Sequence, residues 1–209
     1  GKANDQRVYF ALRFSRPIKA HQFYLSSEPP LPNQAQGSHV AAAFSFKPAE
    51  GEELLVRVAI SSVSEEGALM NLKSADPYGW DFDRMRQATF DRWNHELSKV
   101  EVATNDPVKR SLFYTSLYHS YLAPYRFSDL DGAYKGFNHQ VAKGVGYRQF
   151  TLLSLWDTFR AQNPWLTLMQ PEVEIDIIHS MMAKYDQTGE LPYWEISGSE
   201  GGSMIGYHA

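Results

Sequence analysis

The hydrophobic period of this chain changes near residue 78, and that change does most to limit what it can fold into. Before it, apolar residues come in short or alternating runs: Val8 to Phe14, Ala43-Phe44-Ser45-Phe46, and Leu54-Leu55-Val56-Arg57-Val58-Ala59-Ile60. Proline- and glycine-rich breaks at Ser27 to Asn33 and Pro48 to Glu52 separate them, which predicts strands joined by turns. Several such strands argue for an antiparallel sheet, one edge of a β-sandwich. After Asp76-Pro77 the spacing becomes helical. Phe82, Met85, Phe90, Trp93 and Leu97 fall on one face of a helix between Asp81 and Val100, which reads as a connector. Asn105-Asp106-Pro107 then predicts a helix start, because a capping side chain precedes a proline whose missing N–H costs nothing in a first turn. That helix is expected to run through Tyr121 and stop before Pro124. A third is predicted from Glu172 to Lys184, with Val173, Ile177, Ile178, Met181 and Met182 apolar and Gly189 just past its end. Long loops between these helices suggest an all-helical second region.

Composition sets outer bounds. The 209 residues are 43% hydrophobic and 21% charged, which fits a folded globular chain. A net charge of −4 supplies no basic surface for nucleic acid, so no nucleic-acid partner is expected. Cysteine is absent, which excludes disulfides and thiolate metal sites and leaves both secreted and cytosolic settings open. No apolar run approaches the roughly 20 residues of a membrane helix, and Gly1 to Asp5 shows no signal-peptide core. The closing residues Met204-Ile205-Gly206-Tyr207-His208-Ala209 are apolar and aromatic, without the charged tail or turn that ordinarily ends a domain. A piece of a longer protein is the expectation.

The chemistry-bearing residues gather in the loops. Trp156-Asp157-Thr158-Phe159-Arg160 sets a carboxylate and a guanidinium on one helix face among the rings of Tyr147, Phe150, Trp156, Phe159 and Trp165. Ring faces stack on the C–H surfaces of pyranoses while charged groups hydrogen-bond hydroxyls, so this is suited to a sugar cleft. An internal ion pair between Asp157 and Arg160, with the aromatics as core, explains the spacing equally well. Trp194-Glu195 and Glu200 add two carboxylates on one glycine-bounded loop, able to bind hydroxyls or to transfer a proton, or simply solvated. Asp129 and Asp131, with Gly132 after them, suit a cation turn or, more readily, an Asx-type turn; an EF-hand is excluded by the missing acidic positions. His208 is a low-ranking ligand or proton carrier, and the other histidines lack metal spacing. No G-x-S-x-G elbow, P-loop or dinucleotide glycine motif occurs.

Five segments in order, Asn94 to Val102, Phe113 to Ser120, Phe127 to Gly132, Ser154 to Ala161, and Met204 to Ala209, resemble glycoside hydrolase family 92, the calcium-dependent exo-acting α-mannosidases. The resemblance implies part of an N-terminal β-sandwich over residues 1–77, a helical linker over 78–104, and the first part of an (α/α)6 catalytic barrel over 105–209, with the site between sandwich and barrel. It further implies removal of terminal α-linked mannose, α-1,2-linked by preference, with inversion. A glutamic acid would act as acid, an aspartate as base, and Ca2+ would bind the sugar's O2 and O3. Inversion leaves room for a water between carboxyl groups about 6.5–9.5 Å apart. The family's acid, base and calcium ligands are expected beyond Ala209. Carried over here are Asp157, expected to hydrogen-bond the terminal mannose, and Arg160, expected to orient it; Trp156, Trp194 and Glu195 are expected in the pocket wall. Where the family shows Gly/Ser-Asn-Glu-Thr, this chain has Gly198-Ser199-Glu200-Gly201-Gly202, which leaves the role of Glu200 open. The implied partner is a mannose-containing glycan and the implied location secreted, periplasmic or cell-surface. The alternative is a non-catalytic carbohydrate-binding or structural fragment.

Overall fold

The computed structural model describes residues 7–25, 33–74, 77–196, 198–202 and 204–206. The turn expected from Ser27 to Pro32, Asp76 and His208 lie outside the described residues. The four six-residue strands come first and all the helices after them, the order that the change of period predicts.

Four strands, β1 (Tyr9–Phe14), β2 (Ala20–Leu25), β3 (Val40–Ser45) and β4 (Val56–Ser61), form two antiparallel ladders. β1 pairs with β4 from Tyr9 opposite Ser61 to Phe14 opposite Val56, and β2 pairs with β3. β2 was not anticipated, because Ala20-His21-Gln22 opens it with little apolar signal. Phe14 joins the ladders through its ring contacts with Phe44 at 5.3 Å and Phe46 at 4.9 Å. On one face of β1/β4, Ala11 packs with Ala68 and Leu72 of helix α1 (Glu65–Ser74), flanked by Tyr9 and Ala59. The other face carries Phe10, Leu12, Val58 and Ile60, all exposed, the kind of apolar surface a second sheet covers in a sandwich.

α1 lies before the change of period at residue 78, where no helix is predicted from the sequence. Ser64 starts it, its hydroxyl accepting from the Gly67 N–H at 3.0 Å, and Glu65 and Glu66 sit favourably at the positive end. Its sheet-facing side is built of Gly67, Ala68 and Leu72, too few large apolar residues to show a clear period.

α2 (Phe82–Leu97) is capped by Asp81, which accepts from Arg84 N at 2.9 Å, and it buries no residue completely. α3 (Pro107–Ser120) starts as expected, with Asp106 accepting from Val108 N and Lys109 N at 2.9 and 3.2 Å. Asp106→Ala is therefore expected to cost about 1 kcal/mol of stability, read by denaturant unfolding of the intact protein. Trp93 meets Tyr118 edge-on at 4.6 Å and so holds α2 to α3.

The remainder is not all helical. β5 (Tyr125–Arg126), β6 (Ala133–Lys135), β7 (Val141–Lys143) and β8 (Phe150–Thr151) precede α4 (Leu155–Thr158), α5 (Gln162–Met169) and α6 (Pro171–Thr188), and β9 (Glu195–Ile196) and β10 (Ser199–Glu200) follow. β5 pairs with β8, β6 with β7 and β9 with β10, each antiparallel. Strands of two or three residues are too short to show a period, which is why the loops concealed them. α6 ends at Gly189, whose left-handed backbone (φ 80°) lets its N–H reach Tyr185 O, as its position predicted. Phe150, Leu153, Leu166 and Ile177 make the core here, with Tyr121, Val173 and Met181 packed against it.

Candidate functional site

α6 carries a second stripe beside its apolar one. Asp176, Ser180 and Lys184 recur every fourth residue, and all three are buried. They satisfy the groups around β8: Arg148 pairs with Asp176, Ser180 Oγ accepts from Phe150 N at 2.8 Å, and Lys184 Nζ donates to Phe150 O at 2.7 Å. Lys184 also meets the Glu195 carboxylate at 3.2 Å, with side chains 3% and 0% exposed. Glu195 accepts further from Thr151 Oγ1 at 2.7 Å and Leu153 N at 3.3 Å, while its own N–H donates to Leu153 O at 3.0 Å. Between those partners Leu152 holds a left-handed φ of 67°, so a strained residue turns Thr151 and Leu153 toward one carboxylate.

This corrects the expectation for Glu195. Only 1% exposed, it faces the interior and fastens the 193–200 turn to the strand that leads into α4. Burial pushes its carboxyl above the usual carboxylate range, and Lys184 pulls it back; burial pushes the Lys184 amine down, and Glu195 opposes that. The regular polar spacing at 176, 180 and 184 was the available signal for this clasp.

Glu200 is likewise spent on the backbone. Its carboxylate accepts from Tyr193 N at 2.8 Å, Trp194 N at 3.2 Å and Gly202 N at 3.0 Å, closing the turn around Trp194. The departure at Gly201-Gly202 has a steric reason: a Cβ on Gly201 would lie 2.8 Å from the Trp194 ring and 2.9 Å from its carbonyl oxygen. Gly202 adopts a positive φ of 59°.

The Trp156 to Arg160 segment differs in kind. Asp157 and Arg160 are exposed, and Trp156 and Trp194 are half-buried. The ion pair between Asp157 and Arg160 that would equally explain their spacing is not formed among the described residues. Instead Ser154 Oγ donates to Asp157 Oδ2 at 2.6 Å, leaving Oδ1 open, and the Arg160 guanidinium lies over the Phe159 ring at 5.1 Å. The Trp156 indole N–H is buried without a partner. Asp157 on α4 and Arg160 just past its end thus present exposed polar groups, and the Glu195 clasp holds the strand that leads into that helix.

In the acidic loop, Asp131 accepts from Ala133 N at 3.0 Å, the Asx-type turn, and meets Lys143 at 3.3 Å. Asp129 is 3% exposed and bonded to Ser61 and Asn71. Among the described residues no three His, Asp or Glu side chains gather as a metal ligand set, and no helix is long and apolar enough to cross a membrane.

Residues 67–209 match the glycosyl hydrolase family 92 catalytic domain. Among solved structures, the chain is similar to the family GH92 alpha-mannosidase BT3965 from Bacteroides thetaiotaomicron at 38% identity and a TM-score of 0.82, covering 96% of this chain and 28% of that one. The complex of that enzyme with mannoimidazole superposes equally well, with a TM-score of 0.82. The family GH92 inverting mannosidase BT2199 from Bacteroides thetaiotaomicron VPI-5482 is 29% identical with a TM-score of 0.80, over 95% of this chain and 27% of its own. The chain thus spans under a third of either enzyme's length. No curated protein matches it.

Proposed function

The chain belongs to glycosyl hydrolase family 92, and from that membership we propose that it is a stretch of an exo-acting α-mannosidase that removes terminal mannose, α-1,2-linked by preference, with inversion. The observation that carries this reading is the 38% identity to an alpha-mannosidase across 96% of the chain. The proposed division is a β-sandwich part over 1–77, a linker over 78–104 and the first part of an (α/α)6 barrel over 105–209.

In this reading Asp157 accepts a hydrogen bond from a hydroxyl of the terminal mannose through its open Oδ1, and Ser154 fixes the carboxylate by holding Oδ2. Arg160, supported by the Phe159 ring, donates to the sugar and sets its orientation. Trp156 offers its half-buried ring, and Trp194, held by the Glu200 turn, forms part of the wall. Glu195 and Glu200 are excluded as acid or base, because each carboxylate is committed to donors of the fold. The acid and base are placed elsewhere in the intact enzyme. A glycan substrate that is too large to cross a membrane favours a secreted, periplasmic or cell-surface protein.

Calcium, which the family resemblance implies, does not fit the residues of this stretch: Asp129 and Asp131 already have partners and the described residues hold no ligand set. No step here passes through it. If its ligands lie elsewhere in the intact enzyme, excess EDTA should bring turnover to background and added calcium should restore it. Full turnover in EDTA would remove the metal requirement. The decisive assay follows α-1,2-mannobiose by proton NMR. β-Mannose as the first product supports inversion, α-mannose contradicts it, and no cleavage of any α-mannoside overturns the proposed activity.

A further inference from the structure

Asp129 lies in the loop between β5 and β6, yet its carboxylate is held by two side chains far back in the chain, Ser61 and Asn71, the first of them outside the residues that match the catalytic domain. Ser61, the last residue of β4, donates to Oδ2 at 2.6 Å, and Asn71 of α1 donates to Oδ1 at 2.9 Å while its own Oδ1 accepts from Leu130 N at 2.9 Å. The Ser61 oxygen already accepts from Val63 N at 2.9 Å and Ser64 N at 3.3 Å, so toward Asp129 the hydroxyl serves as a donor only. The fit is close: a Cβ on Gly67 would come within 2.4 Å of Asp129 Oδ2 and 2.8 Å of Ser61 Oγ.

From Asp129 the contacts continue toward the substrate-facing segment. Phe127 N donates to Gln149 O at 2.7 Å, β5 pairs with β8, and the Phe127 ring fills the space where Gly198 has no side chain. Thr151 of β8 then bonds Glu195, which fixes Leu153 ahead of Asp157.

We propose that Asp129 is a positioning residue, registering the β1/β4 ladder and α1 against the segment that presents Asp157 and Arg160. This rests on the mannosidase reading, in which the substrate lies between the strand and helical parts. Sliding one part against the other would misplace sugars beyond the cleaved bond in ground state and transition state alike, which raises KM and spares kcat. Asparagine at position 129 cannot substitute for the carboxylate. With its amide oxygen toward Asn71, its NH2 faces an oxygen already accepting two hydrogen bonds.

The test is steady-state kinetics of the intact enzyme with Asp129→Asn, Gly67→Ala and Ser61→Ala, on α-1,2-mannobiose and an aryl α-mannoside, with unfolding curves alongside. Asp129→Asn and Gly67→Ala are expected to raise KM for the disaccharide at least tenfold, with a smaller rise for the aryl substrate, kcat within about twofold, and Ser61→Ala between them and wild type. If Asp129→Asn does not fold, Gly67→Ala and Ser61→Ala carry the same test. Variants that lower the unfolding temperature while keeping wild-type KM refute the positioning role and leave the mannosidase reading intact. A wild-type enzyme that cleaves no α-mannoside refutes that reading, and the positioning role with it.

Discussion

Lys184→Met in the intact protein is expected to cost about 3–5 kcal/mol of stability, because it leaves the Glu195 carboxylate without its cation in a site that water does not reach. Thr151 Oγ1 and Leu153 N remain as donors, but two neutral donors do not replace an ammonium group. The loss should depend on pH, with a defined sign. Burial already raises the Glu195 carboxyl and Lys184 lowers it, so without Lys184 it rises further. Between the ordinary carboxylate value and the raised one, the folded variant holds a proton that the unfolded chain has released. Its deficit therefore shrinks as pH falls through that window. Glu195→Gln should behave oppositely. Burial lowers the Lys184 amine, and without Glu195 it falls further, so the folded variant gives up a proton that the unfolded chain keeps. Its deficit shrinks as pH rises toward the ordinary amine range. Denaturant unfolding of both variants across pH reads the two slopes, and slopes of the same sign would show that the pair is not a coupled charge site. Replacing both residues, Lys184→Met with Glu195→Leu, should cost less than the sum of the single losses, since no buried charge is then left alone.

That clasp also shows where the sequence stops being readable. α2 and α3 were legible because local chemistry specifies them: a carboxylate cap, a proline in the first turn and an apolar face act within one helix. Gly189 as the stop of α6 belongs to the same class. α1 was hidden because its burial depends on small residues, Gly67 and Ala68, whose value appears only when Asp129 and the β1/β4 ladder are brought against them. Glu195 was read as a pocket carboxylate because it follows Trp194 in a loop, and its actual partner sits on α6, where Lys184 resembles any surface lysine until the helix is packed. The spacing of Asp176, Ser180 and Lys184 was present in the sequence, but a polar stripe usually marks a solvated face, so the usual inference pointed outward. Asp157 and Arg160 came from the family resemblance, since an i, i+3 pair alone admits an ion pair that the structure does not form. Their separate partners, Ser154 and the Phe159 ring, leave both available to a ligand.

Asp157→Ala in the intact enzyme is expected to lower kcat/KM for an α-mannoside at least tenfold, about 1.4 kcal/mol of transition-state stabilisation, with little change in unfolding temperature. The second half of that expectation follows from the geometry. Asp157 is exposed, its carboxylate has one side-chain hydrogen bond, to Ser154, and α4 is four residues long. A carboxylate in a first helical turn is worth about 0.3–1 kcal/mol, a small loss beside that expected for Lys184→Met. The first half rests on the proposed contact of Asp157 with the sugar, and the backbone entering α4 is restrained for it: Leu152 is held in a strained conformation and Leu153 is bound twice by Glu195. Ser154→Ala separates orientation from contact. If the carboxylate works by accepting a mannose hydroxyl, freeing it from Ser154 should reduce kcat/KM by less than its removal does, and Asp157→Asn, which keeps one acceptor oxygen, should fall between the two. Unchanged kinetics in Asp157→Ala would take this residue out of the site, and a collapsed unfolding transition would return it to the frame beside Glu195. Only a loss of turnover in a folded enzyme places it on the sugar.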